Sequence, residues 1–365
     1  MHCASLGEFE QGRPILEKIK KEYPDYPVIL SFFSPSGFQA AQKFKEADQI
    51  IYLPSDTALN AKKLVAEINP ALVFWVKYEY WYHYLTEIKK RNIPLLLVSG
   101  IFRESQPFFK FYGGLWRRLL HSFTHFFVQN DGSKHLLQSL GFSKNTTVSG
   151  DTRYDRVLEI AEKKLPIEYI EDFIGQNRVL VAGSTWKEDI ELLARYAKQN
   201  PDLKFIIAPH EINKHSLEEI KNFFTEVVLY SELSNGKEFK DKSNVLVIDN
   251  IGMLSRLYNY AYITYVGGGF NKSGIHNTLE AAVYSKPVIF GPNYKKFAEA
   301  VSLVNTGGGY TIKNYTDLQS ILDRLLGNQH ELEKIGKAAM ELVRSNKGAT
   351  EKIYTYVKEN RLLTN

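Results

Sequence analysis

The chain has 365 residues, of which 44% are hydrophobic and 24% charged, a balance typical of a globular protein long enough for two domains. The net charge of +5 is too mild and too dispersed to favour nucleic acid as a partner, although it suits an anionic substrate or an anionic membrane surface. The single cysteine, Cys3, excludes an intramolecular disulfide framework, and no stretch reaches the roughly 18 apolar residues that span a bilayer.

Apolar runs alternate with amphipathic helical stretches along the whole chain, which predicts parallel α/β units. In the first half the predicted strands lie at 27–31, 49–53, 71–75, 94–98 and 125–128, with helices at 12–23, 37–45 and 58–67. In the second half the predicted strands lie at 178–182, 204–208, 227–230, 245–248, 261–266 and 287–290. We therefore expect an α/β fold of two Rossmann-like, doubly wound domains that face a cleft.

The expected organisation has four parts. Residues 1–150 form the N-terminal domain, 151–172 a linker, 173–340 the C-terminal domain, and 341–365 a helix that crosses back to the first domain. The chain opens on a glycine-containing loop with no room for a full first strand. The sequence therefore predicts that this strand is truncated and that the natural protein extends upstream of Met1.

The first chemical candidate is Glu8, which lies in a loop at the start of a predicted helix. A carboxylate in that place can remove a proton from an acceptor hydroxyl. The alternative is an acidic residue that only complements the positive end of the helix dipole. The residues alone leave both interpretations open.

Two aromatic stretches follow. Half of residues 71–84 are aromatic and surround Glu79, a pattern that fits either a sugar-binding wall or ordinary core. The stretch 101–130 combines aromatic with basic side chains and fits either an interfacial segment for a lipid-linked acceptor or membrane, or a core helix with snorkelling ends. Its candidate residues are Phe109, Phe111, Trp116, Arg117 and Arg118.

The second half carries the strongest motif, in which three glycines end a strand and His-Asn-x-x-Glu at 276–280 opens a predicted helix. Glycines let backbone N–H groups close on a phosphate, and Asn277 and Glu280 would share one helical face. His276 is either a structural cap or a phosphate ligand. The turn that contains Ser184 and Thr185 is a second place for a phosphate or a ribose.

A metal site is not predicted. The only ligand-like spacing among the histidines is His121-x-x-x-His125, which lacks the glutamate of the zinc-protease motif. No G-x-S-x-G turn and no GxxxxGK[ST] loop occurs, so neither a serine hydrolase nor a P-loop enzyme is expected.

Together these stretches resemble the 3-deoxy-D-manno-octulosonic acid (Kdo) transferases over nearly the whole chain. The resemblance rests on Ala-Ser-Leu-Gly-Glu at 4–8, on 77–82, on Gly-Ser-Thr-Trp at 183–186, on Ala-Pro-His at 208–210, and on 267–280. The last motif is common to many two-Rossmann glycosyltransferases, but its combination with Ser-Leu-Gly-Glu is specific. Lys77 stands where the family carries a first glutamate, and His210 follows Pro209 without the family's arginine.

The resemblance implies an inverting GT-B glycosyltransferase that needs no metal or other cofactor. It would move Kdo from CMP-Kdo to a lipid A precursor in lipopolysaccharide synthesis, at the cytoplasmic face of the inner membrane. Relatives carry an N-terminal anchor, whereas this chain would be peripheral. By the same resemblance Glu8 is the general base and Glu79 supports the acceptor side. The CMP moiety would be held by Ser184, Thr185, His210, Gly252, Met253, Gly268, Asn277 and Glu280.

Two other functions remain open from the sequence. The first keeps the fold and changes the donor, as in a UDP-sugar transferase or an enzyme like UDP-GlcNAc 2-epimerase. The second is a non-catalytic sugar-nucleotide-binding or membrane-scaffold protein. The expected site is a groove in which the glycine turn at 267–269 confronts Glu8.

Overall fold

The computed structural model describes residues 1–77, 79–224, 226–234 and 243–364. The chain divides into two compact units, of which the first contains Met1–Arg156 and Asn346–Asn365 and the second Val157–Ser345. Each unit is built on a parallel sheet of seven strands. The predicted α/β fold with two Rossmann-like sheets is therefore confirmed.

The strands of the first sheet are β1 His2–Cys3, β2 Ile29–Phe32, β3 Gln49–Tyr52, β4 Val73–Val76, β5 Leu95–Gly100, β6 His125–Val128 and β7 Thr146–Val148. Those of the second are β8 Val179–Thr185, β9 Lys204–Pro209, β10 Val227–Leu229, β11 Val245–Val247, β12 Ile263–Val266, β13 Val288–Phe290 and β14 Gly309–Thr311. The strand orders are β3-β2-β1-β4-β5-β6-β7 and β10-β11-β9-β8-β12-β13-β14.

The helices of the first half are α1 Leu6–Glu22, α2 Pro35–Ala41, α3 Ala58–Ile68, α4 Tyr82–Lys90, α5 Gly114–Leu120, α6 Asp131–Ser139 and α7 Arg153–Glu162. Those that follow are α8 Ile170–Ile174, α9 Lys187–Gln199, α10 Lys214–Phe223, α11 Tyr230–Ser234, α12 Leu254–Leu257, α13 Leu279–Ala282, α14 Ala298–Asn305, α15 Tyr315–Gly327, α16 Gln329–Ser345 and α17 Ala349–Glu359. Short 3₁₀ turns cover Pro107–Phe109 and Tyr258–Tyr260.

The strand β5 shows why its run of apolar residues is continuous rather than alternating. Leu95 and Leu97 pack into a core cluster on one face of the sheet, while Leu96 and Val98 pack into another cluster with residues of α1 and α17. Because helices cover both faces of a parallel sheet, every residue of β5 is buried.

Each sheet reverses its strand order at one point, and that point locates the candidate sites. In the first sheet the chain adds strands on one side of β1 and then continues with β4 on the other side. In the second sheet β8 lies between β9 and β12 in the same way. In doubly wound sheets ligands bind beyond the carboxyl ends of the two strands at this switch.

The stretch expected to be a linker is largely helical. The helix α7 occupies Arg153–Glu162, and the division between the two units falls within it, after Arg156. The charged, proline-containing residues 163–166 that suggested a linker lie in the turn between α7 and α8. A charge-rich sequence is equally compatible with an exposed helix face, which is why the pattern misled.

The last helix, α17, belongs to the first unit. Ile353 and Val357 lie in one buried cluster with Ile15 and Ile19 of α1. The Asp155 carboxylate accepts hydrogen bonds from the backbone N–H of Gly348 and Thr350, which fixes the start of α17. The α17 segment therefore completes the core around α1.

Three strands escaped the sequence analysis because none is a long apolar run. The strand β1 has two residues, which pair with β2 and β4, and β7 and β14 are three-residue strands rich in threonine, glycine or tyrosine. The first helix also begins earlier than expected, at Leu6 rather than Gly12, because Ser5 provides its N-cap.

Candidate functional site

Glu8 lies at the third position of α1, beyond the carboxyl end of β1. The Ser5 hydroxyl accepts from the Glu8 N–H at 3.4 Å, and the Glu8 carboxylate accepts from the Ala4 N–H, so the side chain is anchored over the helix end. Glu8 is only 7% exposed. Burial raises the pKa of its carboxyl, opposed by the Ala4 hydrogen bond and reinforced by the charge of Glu79. Such a carboxylate is suited to accept a proton near neutral pH.

Glu79 and Lys77 follow β4, the strand on the other side of the switch. Lys77 adopts a left-handed backbone with φ of 61°, and the charges of both residues act on Glu8. The Glu79 backbone carbonyl accepts from the Trp75 indole, and burial raises the pKa of the Glu79 carboxyl. The structure therefore brings Glu79 and Lys77 close enough to Glu8 for their charges to act on its carboxyl.

The aromatic residues around Glu79 serve mainly as core. Trp75 and Tyr84 are 2% and 1% exposed within one cluster, and Tyr80 and Trp81 pack against it. Tyr78 lies outside the described residues. Of the two interpretations of this stretch, the described residues favour ordinary core.

Asp151 is a buried acidic residue that the sequence analysis placed only at a domain seam. It accepts from Gln11 Nε2 at 3.3 Å and from the Arg153 guanidinium at 2.7 Å. Burial opposes its ionisation, but Arg153 and Lys77 outweigh that effect and hold the pKa of the Asp151 carboxyl below its ordinary value. Its position directly after β7 was the available signal, but β7 itself was missed.

The candidate residues for acceptor or membrane binding divide into two groups. Phe109 packs against the core, and the Arg117 guanidinium donates to the carbonyls of Phe108 and Lys110, so both support the local fold. The stretch 101–130 is not one amphipathic helix, since β6 of the sheet occupies its end. The side chains that remain exposed, here called the exposed apolar loop, are Phe111, Tyr112, Leu115 and Trp116, at 96%, 61%, 55% and 40%.

Arg118 is exposed beside the exposed apolar loop. Within the described ranges, no helix has the length and apolar character that crossing a membrane requires. In the same part of the chain, no group of three or more His, Cys, Asp or Glu is arranged to hold a metal ion. His125 lies in β6, where its Nε2 meets the Thr147 hydroxyl at 2.9 Å, and it shares no helix with His121.

In the second unit, the glycine turn at 267–269 follows β12 and has no space for side chains. A Cβ on Gly267 would lie 2.4 Å from the Ser184 carbonyl oxygen, and one on Gly269 would lie 2.5 Å from the Gly291 Cα. Gly268 has a φ of 90°, which side-chain-bearing residues rarely adopt. The three glycines therefore let the backbone segments after β8, β12 and β13 approach one another closely.

Asp189 of α9 holds the glycine turn in place, a role that the sequence analysis missed. Its buried carboxylate accepts from the N–H of Gly268 at 2.9 Å, the N–H of Trp186 at 2.8 Å and the hydroxyl of Tyr265 at 2.6 Å. Burial raises the pKa of the Asp189 carboxyl, and these hydrogen bonds oppose the rise. The Gly268 N–H is thus used within the protein rather than offered to a phosphate, which corrects the expectation for that group.

Three aromatic rings stack beside the turn. Trp186 lies face to face with His210, at 4.6 Å between ring centroids, and His210 stacks on His276 at 4.5 Å. The Trp186 indole N–H also donates to His276 Nε2 at 3.2 Å. Burial, with a smaller effect of His210, lowers the pKa of His276 to about 4, so this imidazole is neutral at physiological pH.

The helix expected to begin with His-Asn-x-x-Glu is shorter than predicted. The helix α13 starts at Leu279, so Asn277 precedes it instead of sharing a helical face with Glu280. The two side chains still meet, because Asn277 Nδ2 donates to Glu280 Oε1 at 3.0 Å and Asn277 Oδ1 accepts from the Leu279 N–H. The bond from the Leu279 N–H to Asn277 Oδ1 forms an Asx turn just before the N-cap residue Thr278, which explains the late start.

Five further residues lie in the loops at this edge or at the ends of its strands and helices. Gly252 has a φ of 98° and is exposed, and Met253 is buried at the start of α12. Ser184 has a φ of 52°, and the buried hydroxyl of Thr185 has no hydrogen-bond partner among the described residues. The buried hydroxyl of Thr278 also has no hydrogen-bond partner among the described residues, and the sequence analysis did not select Thr278 as a site residue. Polar groups left unpaired in this way are available to a ligand.

The structure thus places the predicted nucleotide residues at one edge of the second sheet. Ser184, Thr185 and His210 lie at or directly after the carboxyl ends of β8 and β9, and the glycine turn follows β12. A Cβ on Gly183 would meet the hydroxyl of Tyr258 at 2.1 Å, and burial, reinforced by the charge of Glu280, raises the pKa of that tyrosine. This is the switch-point edge at which doubly wound sheets bind ligands.

Comparisons with known proteins agree with this architecture. Residues 1–156 match a family model described as 3-deoxy-D-manno-octulosonic-acid transferase (kdotransferase). The chain is 28% identical to a bifunctional glycosyltransferase/methyltransferase of Fusobacterium nucleatum, and the alignment covers all of this chain and 55% of that protein. It is 26% identical to a 3-deoxy-D-manno-octulosonic acid transferase of Chlamydia trachomatis serovar A, over 92% of this chain and 80% of that protein.

Among solved structures, a UDP-GlcNAc 2-epimerase from Neisseria meningitidis bound to UDP-GlcNAc superposes with a TM-score of 0.67. The two proteins are 16% identical, and 98% of each chain is covered. At that identity the likeness concerns the fold alone. The chain spans about half of the Fusobacterium relative, so part of that protein has no counterpart in the chain.

Proposed function

We propose that the chain moves Kdo from CMP-Kdo to a hydroxyl of a lipid A precursor, and the support is its match to the Kdo transferase model over residues 1–156 and its similarity to curated Kdo transferases. In this reaction the acceptor oxygen forms a bond to the anomeric carbon of Kdo while the bond from that carbon to the CMP phosphate breaks. The acceptor proton leaves to a base, and CMP departs with the negative charge.

Glu8 is the base in this proposal. Its carboxylate is buried beyond the end of β1, held by the Ala4 N–H, and its pKa is raised, which together suit proton removal from a hydroxyl. Glu79 lies close enough for its charge to raise that pKa further, and Lys77 counteracts it. This buried acid is the observation that carries the proposal.

The second unit would hold the CMP moiety. The hydroxyl of Thr185 and the Asn277–Glu280 pair offer polar groups to phosphate and ribose, and the residues around Gly252 and Met253 would contact the base. Donors positioned in advance at the leaving phosphate stabilise the charge that develops there. We further propose that the transfer needs no metal ion.

The direct test supplies the chain with CMP-Kdo and a tetraacyl lipid A precursor and weighs the product. We expect the acceptor mass to rise by one or more Kdo residues, and the yield to be unchanged by EDTA. UDP-GlcNAc supplied as the control donor should give no product, and UDP should compete far more weakly than CMP. Transfer from UDP-GlcNAc, or none from CMP-Kdo, would contradict the proposal.

The acceptor of this reaction is amphipathic, and we propose that the exposed apolar loop contacts it or the anionic cytoplasmic face of the inner membrane. Phe111 is 96% exposed, and Arg118 of α5 is exposed as well. Exposed apolar and basic side chains in one segment are typical of interfacial segments. The double variant Phe111→Ser, Leu115→Ser should bind vesicles of phosphatidylcholine and phosphatidylglycerol at least about a hundredfold more weakly, since each buried apolar side chain is worth about 1.5 kcal/mol or more and each 1.4 kcal/mol is a factor of about ten. Co-sedimentation measures this.

Arg118→Glu should weaken binding as well, and added salt should reduce the binding of the parent protein. Arg117 is unsuitable for this test because its guanidinium supports the loop backbone. Leu59→Ser, at a 75% exposed site on α3, is the matched control and should bind like the parent. Equal binding by the double variant and this control would remove the loop from the interface.

A further inference from the structure

Trp186 makes two different contacts with the histidines beside the glycine turn. Its ring face stacks on His210, with 22° between the ring planes, while its indole N–H donates to His276 Nε2. An indole N–H can only donate, so it requires an unprotonated nitrogen as its partner. The contact therefore favours the neutral imidazole in which the hydrogen is carried by Nδ1.

The other edge of the His276 ring is left for a ligand. A Cβ on Gly268 would lie 3.0 Å from His276 Cδ2 and 3.3 Å from Nε2, so that edge of the ring lies against the glycine turn. Nδ1 is on the opposite side of the ring and has no hydrogen-bond partner among the residues that the structure describes. His276 is only partly buried, so this N–H remains accessible.

We propose that Trp186 is a positioning residue that fixes His276 as the Nδ1–H tautomer, so that this N–H donates to a phosphate oxygen of the bound nucleotide. The identity of the ligand rests on the proposed function. The tautomer assigned to His276 does not depend on that function. The stack with His210 holds the Trp186 ring in the plane from which its N–H reaches Nε2.

Several charged groups surround this arrangement and are common to all the variants below. His210 stacks on His276, the Asp189 carboxylate holds the neighbouring Gly268 N–H, and Lys296 donates to the Lys272 carbonyl in the loop after the glycines. Glu280 meets the side chain of Asn277, the residue after His276. Because these groups are the same in the variant and the parent, the informative quantity is the difference between the two proteins.

The first experiment reads the tautomer in the protein without ligand. In ¹⁵N-labelled protein, with the His276 signals assigned by comparison with His276→Gln, Nε2 should behave as an unprotonated nitrogen and Nδ1 as a protonated one. Trp186→Phe keeps a ring on His210 and removes the donor. It should give a mixture of tautomers and raise the pKa of His276 from about 4 by about one unit. Unchanged ¹⁵N shifts in Trp186→Phe would overturn the proposal.

The second experiment measures binding of cytidine 5′-(methyl phosphate), whose single charge stays constant over the pH range used. At pH 8 Trp186→Phe should bind it about fivefold more weakly, because the wrong tautomer presents a lone pair to the phosphate. At pH 5 the loss should shrink, since a protonated His276 again donates from Nδ1. A loss that is the same at both pH values would indicate a purely structural role for Trp186 and contradict the proposal.

Two controls separate the possible failures. Tyr315→Phe removes another aromatic donor of the second unit, to Gln199, and should change neither the His276 signals nor the binding. Repeating the comparison in a His210→Gln background removes the second imidazole, which stacks on His276. If the parent shows the expected tautomer but does not bind the cytidine ester, the nucleotide assignment fails and the phosphate contact with it. If it binds the ester without that tautomer, the role of Trp186 fails alone.

Discussion

Replacing Glu8 with Gln should lower the turnover number for Kdo transfer about 10²- to 10⁴-fold while the affinity for CMP stays within about twofold of the parent value. Gln retains an oxygen that accepts from the Ala4 N–H, so the start of α1 is preserved and only the proton acceptor is lost. The measurements are initial rates with saturating CMP-Kdo and calorimetric titration with CMP.

The pH profile gives an independent check. Because burial raises the pKa of Glu8, the base is protonated at a higher pH than an ordinary glutamate, and the rate of the parent should fall as pH drops through that raised value. This acid limb should be absent from the residual rate of Glu8→Gln. The matched control is Glu10→Gln, on the same helix, whose carboxyl also has a pKa raised by burial. Equal losses in both variants would argue against a catalytic role for Glu8.

Replacing Asp189 with Ala should abolish measurable CMP binding and lower the melting temperature by several degrees. The change leaves the N–H groups of Gly268 and Trp186 and the hydroxyl of Tyr265 without their acceptor. Each buried donor left unpaired costs about 1–3 kcal/mol, and the glycine turn loses the contact that orients it. Thermal unfolding and CMP titration at low temperature measure the two effects separately.

Asp323 provides a matched control, because its carboxylate also accepts from a buried tyrosine of the second unit, Tyr196, at 2.6 Å. Asp323→Ala should lower the melting temperature without weakening CMP binding. Asp189→Asn retains an acceptor for the two backbone N–H groups and should restore most of the affinity. Normal CMP binding by folded Asp189→Ala would show that the glycine turn does not need this carboxylate.

The strands of the fold could be predicted wherever a buried segment forms a continuous run of apolar residues in the sequence. Every predicted strand corresponds to a strand of the structure, because each of them carries a run of apolar residues. The three-residue strands β10, β11 and β13 are apolar and were predicted, whereas β7 and β14 contain threonine, glycine or tyrosine and β1 has only two residues, so these three were missed. Strand order was beyond the sequence, since pairing depends on contacts between residues far apart in the chain.

The site was predictable where backbone geometry demands glycine or where a motif marks a helix start. The glycine turn and Glu8 belong to this class, and the structure gives the physical reason for each. Asp189 and Asp151 were missed because an acidic residue on a helix or after a short strand looks like a solvated one until its burial is known. The hydrogen bond between Trp186 and His276 joins residues far apart in the sequence, so no local sequence pattern predicts it.

The placement of α17 has a consequence for biosynthesis. The hydrophobic surface of α1 that contacts Ile353 and Val357 is synthesised early, yet the ribosome adds these two residues only after the whole second unit. In the meantime the whole second unit emerges and can fold on its own. During synthesis, the apolar face of α1 therefore stays exposed until α17 is made. We expect chaperones that bind apolar surfaces to bind the nascent first unit in this interval.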